Sequence, residues 1–156
     1  IDAGRDPTYP CTVAAVISNK AGVRSLERAR RAGIVTEVLD HKAFADREAF
    51  DAELARRIDA HSPDLVILAG FMRILTPGFV HFVTETLDGG PAIVQARVAV
   101  LPGDTPETLA ARVLEREHLI YPLAARLYAE GRLCLQCGQA TLDGSPLPAH
   151  GMPLDA

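Results

Sequence analysis

The sequence predicts an α/β protein with a doubly wound, mostly parallel sheet, and three observations predict it. Residues 65–69, Leu-Val-Ile-Leu-Ala, form a continuous apolar run opened by Ser62-Pro63-Asp64 and closed by Gly70. Such a run reads as a strand buried on both faces, the kind found in parallel sheets. Upstream, two shorter apolar runs alternate with two helical patterns, the β-α-β-α-β order of right-handed crossovers. The composition, 48% hydrophobic and 23% charged over 156 residues, suits one domain with a substantial core. In open sheets of this type, ligands bind beyond the carboxyl ends of the strands.

In chain order, residues 1–10 read as a helix remnant and a Pro-containing loop. The chain starts Ile1-Asp2-Ala3 without Met, which predicts a native start further upstream. The first strand is 12–17, ended by Ser18-Asn19-Lys20. A helix follows, with Val23 and Leu26 at i, i+3 and Gly33 as its stop. Residues 35–39 are the second strand. Asp46 caps the next helix, whose Phe50, Leu54 and Ile58 form a stripe at i, i+4, i+8, with Glu53 and Arg57 paired on the outer face. The buried strand 65–69 comes next. Thr76-Pro77 opens another helix, but within four residues the pattern becomes the strand-like His81-Phe82-Val83-Thr84. A parallel crossover needs a dozen or more residues, so the Val80–His81 join is anomalous on local grounds. Leu87-Asp88-Gly89-Gly90-Pro91 is a tight turn into a strand at 92–98. Asp104 or Thr105 caps a long helix carrying Leu109, Val113 and Ile120 on a buried stripe, which Pro122 should kink or divide. Arg132 onward reads as a hairpin turning near Gly138, then Pro-rich coil. One domain is expected.

The bulk numbers exclude several classes. A formal charge of -4 gives no footprint for nucleic acid or anionic lipid. No apolar run approaches a membrane span and no signal peptide is visible. Three cysteines (Cys11, Cys134, Cys137) are too few for a disulfide framework. Cys134-Leu135-Gln136-Cys137 has the spacing of half a zinc site without the other half, so no metal is expected. A reducing, cytoplasmic setting follows.

Dinucleotide, phosphate-loop and nucleophile-elbow motifs are all missing, which leaves an acid/base or positioning site built from loop residues. Asp88, in a Gly-Gly turn, either approaches a ligand or bonds its own backbone as Asp-Gly turns commonly do. Arg73, behind Gly70-Phe71-Met72, either fixes a carboxylate or carbonyl-rich ring or makes a surface ion pair. Glu117 lies on the apolar stripe, where a carboxylate needs a partner: a ligand hydroxyl or amine, or else Arg112 or Arg116. Arg47, in the first turn of a helix, is poorly placed for the dipole and points to a task such as anion binding. His41, His61 and His150 read as solvated loop residues.

Several motifs occur together. Ala69-Gly70-Phe71-Met72-Arg73-Ile74-Leu75, His81-Phe82-Val83-Thr84 with Leu87-Asp88-Gly89-Gly90-Pro91, and Glu117-His118 with Tyr121-Pro122 resemble the folate-dependent phosphoribosylglycinamide formyltransferases. Ser18-Asn19-Lys20-Ala21 and Leu26-Glu27-Arg28-Ala29 match as well, so the resemblance covers roughly residues 11–150 and is to bacterial members. It implies a Rossmann-like formyltransferase fold and transfer of a formyl group from 10-formyltetrahydrofolate, as co-substrate, to the amine of phosphoribosylglycinamide. It implies that Met72, Arg73, Ile74 and Leu75 line the pterin pocket, joined by Thr84, Glu85, Thr86, Leu87 and Asp88, and that Arg47 contacts the folate. Gly70 and the turn Leu114, Glu115, Arg116 and Glu117 match the side that holds the ribosylglycinamide. Asp88 matches the catalytic aspartate, which raises the pKa of the family's active-site histidine and assists proton transfer through water. Neither metal nor covalent intermediate is implied, and the enzyme is expected as monomer or homodimer.

The sequence departs from the family pattern in two places. The family's N-terminal strand and phosphate-binding loop have no counterpart ahead of Ile1. Its Asn-x-His-Pro-Ser segment has none either, because Val80 joins His81 directly. A catalytically incomplete homologue that binds folate or a partner is therefore the alternative. Formyltetrahydrofolate hydrolase and methionyl-tRNA formyltransferase are the other rivals, expected to carry an N-terminal regulatory domain and a C-terminal tRNA-binding domain respectively.

Overall fold

Asp46 illustrates how local rules build the first half of the chain. Its extended backbone (φ -147°) and its carboxylate, which accepts from the Ala49 amide at 2.8 Å, start a helix at the next residue. The computed structural model describes residues 1–69 and 90–154. Contacts divide the chain into two compact units, Thr12–Gly89 with Ile1, and Asp2–Cys11 with Gly90–Ala156.

In the first unit, β1 (Ala15–Ser18) pairs in parallel with β2 (Val35–Val38), Ala15 opposite Val35 and Ser18 opposite Val38. The crossover between them is α1 (Arg24–Arg31). Gly33, at φ +72°, ends α1 as expected: the Ile34 amide reaches Ala29 O at 2.9 Å and the Gly33 amide reaches Arg30 O at 3.0 Å. These are the two bonds that satisfy a helix's last carbonyls when a left-handed residue follows it. After β2, α2 (Arg47–Asp59) packs Phe50 and Leu54 onto Leu39, with Ile17, Phe44, Ala55 and Ile58 around them. The i, i+4, i+8 stripe is thus the core of this unit, and Glu53 pairs with Arg57 at 2.8 Å as the spacing predicts.

Residues 65–69 correct an expectation. They form no strand, and Ile67 is 50% exposed. A strand exists only where a neighbour supplies a ladder within about 5 Å. Here a cavity of about 730 Å³ lies between β1 and this segment, lined by both. The expected helix after Thr76-Pro77 and the strand at 81–84 lie outside the described residues.

In the second unit, Thr105 rather than Asp104 caps α3 (Pro106–Ala129). Thr105 and Thr108 exchange side-chain-to-backbone bonds at 3.3 and 2.9 Å, and Pro106 takes the first helical position. Pro122 does not divide the helix. Its carbonyl instead accepts the Tyr9 hydroxyl at 2.8 Å, while Arg126 lies over the Tyr9 ring. The hairpin is present as β4 (Leu133–Gln136) and β5 (Gln139–Leu142), with Ala125, Leu127, Leu133 and Ala140 buried.

The strand expected at 92–98 is only β3 (Val94–Gln95). The tail expected as coil supplies two short strands, β6 (Ser145–Pro146) on β5 and β7 (Met152–Pro153) parallel to β3. Gly151 makes the last pairing possible, since a Cβ there would stand 3.0 Å from the Ile93 carbonyl.

Candidate functional site

The carboxyl ends of β1 and β2 lie side by side, so the loops that follow them meet. Ser18 Oγ turns back onto the Lys20 amide at 3.1 Å, and the Leu39 amide reaches Ser18 O at 2.9 Å, extending the parallel pairing past β2. From the first loop, Asn19 Nδ2 lies 3.2 Å from His41 Nδ1 in the second. The His41 ring stands edge-on to buried Phe50, with centroids 6.3 Å apart, and Phe44 meets the same ring edge-on at 5.6 Å. Asp40 accepts from the Lys42 amide at 3.0 Å, closing the 3-10 turn that carries His41. His41 is therefore not a solvated loop residue: its side chain is 28% exposed and bonded. Pattern could not find this pair, because its members meet only once β1 and β2 are in register.

Arg47 opens α2 immediately after this loop. It is exposed and has no hydrogen bond or ion pair among the described residues. A cation in the first turn opposes the helix dipole, and among the described residues no ion pair offsets it.

At the other end of α2, a charge network corrects the reading of His61. His61 Nε2 lies 2.7 Å from Glu37 Oε1, and Arg57 Nη1 donates to Glu37 Oε2 at 3.2 Å. Glu53 accepts from Arg57 Nε and from two nitrogens of Arg56, each at 2.8 Å. The His61 ring, with the Arg57 guanidinium beside it, holds the Glu37 carboxyl below its ordinary value. Arg56 and Arg57 bring Glu53 down to about 2. This network ties the β2 strand to the loop leaving α2.

The cavity between β1 and residues 65–69 is walled by Val16, Leu39, Phe50 and Leu54, with Ser18, Asn19, Lys20 and His61 as polar lining. Its volume falls in the range of small-molecule pockets.

In the second unit, Leu114, Glu115, Arg116 and Glu117 form a turn within α3. Here the stripe expectation holds in part: Leu109 and Ile120 are half-buried, whereas Val113 and Glu117 are not. Val113 is 38% and Leu114 45% exposed, and Glu117 is exposed too. Glu117 has no bond to Arg112 or Arg116; Arg112 instead forks onto Asp104 at 2.8 Å through two nitrogens. A carboxylate on a solvated face needs no protein partner, so Glu117 is open to a ligand.

Gly70, Met72, Arg73, Ile74, Leu75, Thr84, Glu85, Thr86, Leu87 and Asp88 lie outside the described residues. No group of three or more His, Cys, Asp or Glu among the described residues could hold a metal ion, and no described helix is long and apolar enough to cross a membrane.

Comparison with known proteins adds the following. Residues 1–81 and 78–125 match the family described as "Formyl transferase". The chain is 42% identical over 194 residues to the "Phosphoribosylglycinamide formyltransferase" of Escherichia coli (strain K12), a match covering 99% of this chain and 92% of that one. The phosphoribosylglycinamide formyltransferase structure from Coxiella burnetii, in complex with CHES, superposes with a TM-score of 0.86 at 35% identity, covering 95% of this chain and 88% of that one. Glycinamide ribonucleotide transformylase 1 from Symbiobacterium toebii superposes with a TM-score of 0.84 at 38% identity, covering 90% and 85%.

Proposed function

The chain belongs to the formyl transferase family, and from that premise we propose that it transfers a formyl group from 10-formyltetrahydrofolate to the amine of 5'-phosphoribosylglycinamide, in purine biosynthesis. The nearly full-length match to the Escherichia coli formyltransferase carries this reading. The fold is the α/β formyltransferase fold of the superposed structures. The family match runs from one compact unit into the other, which supports a single formyltransferase domain.

Residue roles follow from the motifs. Met72, Arg73, Ile74 and Leu75, with Thr84, Glu85, Thr86, Leu87 and Asp88, line the donor pocket, and Arg47 meets an anionic part of the folate. Gly70, Leu114, Glu115, Arg116 and Glu117 hold the acceptor, with the Glu117 carboxylate accepting from its hydroxyls or amine. Attack of the amine on the formyl carbon produces a tetrahedral oxyanion, which needs donors aimed at it and a route for the amine proton. Asp88 serves that proton route; a carboxylate also favours the protonated form of a neighbouring imidazole, which can then donate. The setting proposed is cytoplasmic, as monomer or homodimer, without nucleic acid or membrane partners.

One observation favours a second reading, a homologue that binds folate without turnover. Val80 is joined directly to His81, where the family pattern carries Asn-x-His-Pro-Ser. The two stretches of family match also meet at residues 78–81, and the 194 residues of the Escherichia coli match exceed the 156 here. Both facts support a segment in the relatives that has no counterpart at this join. A formyl-transfer assay with and without phosphoribosylglycinamide separates the readings. Acceptor-dependent turnover, lost about 10²- to 10⁴-fold in Asp88→Asn, supports the transferase. Folate binding without turnover supports the incomplete homologue, and turnover without acceptor indicates a hydrolase.

A further inference from the structure

We propose that Asn19 and His41 are positioning residues for the folate donor: together they hold the loop that presents Arg47. The inference rests on the reading above, in which Arg47 meets an anionic part of the folate, and extends it to two residues with no assigned role. Three observations carry it. Asn19 Nδ2 and His41 Nδ1, at 3.2 Å, form the side-chain contact joining the loop after β1 to the loop after β2. The His41 and Phe44 rings both stand edge-on to Phe50, which lies one helical turn beyond Arg47 and is 2% exposed. Arg47 itself is exposed and has no side-chain partner among the described residues, so its backbone anchorage sets the range its guanidinium can reach.

The loop from Asp40 to Asp46 is thus held at both ends and in the middle. The Leu39 amide is bonded to Ser18 O, the Asp46 carboxylate caps α2, and the Asn19–His41 contact fixes the turn between them. Without that contact, the His41 ring keeps its edge on Phe50 and Asp40 at 3.8 Å, both close to it in the chain, and the turn loses its tie to the loop after β1. Freedom in the loop is paid for when Arg47 is immobilised on a ligand. The anions that folate offers are the carboxylates of its glutamate tail, since its benzoyl carbonyl is part of a neutral amide. Loss of the contact should therefore weaken binding of a folate that has the tail and spare one that lacks it.

The test is equilibrium binding of tetrahydrofolate and of tetrahydropteroyl amide, in which a neutral carboxamide replaces the glutamate, to the full chain and its variants. Asn19→Ala and His41→Ala are each expected to weaken tetrahydrofolate about fivefold, the equivalent of one hydrogen bond, and to leave tetrahydropteroyl amide unchanged. Asn19→Asp should restore tetrahydrofolate binding, because its carboxylate accepts from the Nδ1–H tautomer of His41. Arg47→Gln should show the same selectivity and at least the same loss. Either alanine variant suffices if the other does not fold, as judged by thermal unfolding. If Arg47→Gln is selective while the alanine variants change neither ligand, or weaken both alike, Asn19 and His41 do not position Arg47. If Arg47→Gln changes neither ligand, the folate contact of Arg47 is wrong and the inference falls with it.

Discussion

Gly151 and Gly144 offer a matched pair of substitutions that isolates one close backbone approach. Both have left-handed backbones, φ +77° and +80°. An added Cβ at Gly144 meets nothing within 4 Å, whereas at Gly151 it would stand 3.0 Å from Ile93 C and O and 3.1 Å from Ala92 C. Those are backbone atoms of the segment entering β3 and cannot swing aside. Placing an L-residue in this conformation costs about 1–2 kcal/mol, partly offset by about 0.4–1 kcal/mol from a stiffer unfolded chain. Gly144→Ala should therefore cost about 1 kcal/mol.

Gly151→Ala must in addition push β7 off β3. The bonds at risk are Met152 N to Ile93 O at 2.9 Å and Leu154 N to Gln95 O at 2.8 Å. At about 1 kcal/mol each, the total loss approaches about 3 kcal/mol. Urea unfolding reads both values from the midpoint, provided the slope is unchanged. Hydrogen exchange at the Met152 and Leu154 amides should rise only in Gly151→Ala. Equal losses for the two variants, with both amides still protected, would refute the close-approach argument.

Asp104 sits below its ordinary value of 3.8, chiefly because it accepts from the Arg112 guanidinium. Between that value and its folded one the unfolded chain binds more protons, so its contribution is full above 3.8 and fades as pH falls through the folded value. Asp104→Asn should thus lower the urea midpoint at pH 7, and the gap to the unaltered chain should narrow at pH 3; a gap of the same size at both would contradict this. Phe50→Ala removes the centre of the cluster with Leu39 and Leu54 and the ring edge shared by His41 and Phe44. It should cost about 3–5 kcal/mol in denaturant unfolding. Cys137 occupies the first position of a two-residue hairpin loop at φ +50°, followed by Gly138 at +77°. Asn-Gly suits that turn best, so Cys137→Asn should raise stability by about 0.5–1 kcal/mol, measured by thermal unfolding.

The sequence by itself determined whatever depends on neighbours along the chain. The Asp46 cap, the Gly33 stop, the Phe50–Leu54 stripe, the Glu53–Arg57 pair and the turn near Gly138 all follow from spacing and backbone preference, and all are present. The family was legible in the same way, through short motifs such as Gly70-Phe71-Met72-Arg73 and Asp88-Gly89-Gly90-Pro91. Tertiary structure alone decided the rest. An apolar run cannot tell whether a neighbouring strand will stand beside it, so 65–69 looks like a strand and forms no ladder. A helical stripe cannot tell whether anything will cover it, so Val113 and Glu117 face solvent. The parallel pairing of β3 with β7 joins residues nearly 60 positions apart, from Val94 to Met152. The Asn19–His41 contact spans two loops through the register of β1 and β2. Hydrogen bonds and burial between distant segments depend on which surfaces fold against each other, and no local pattern records that choice.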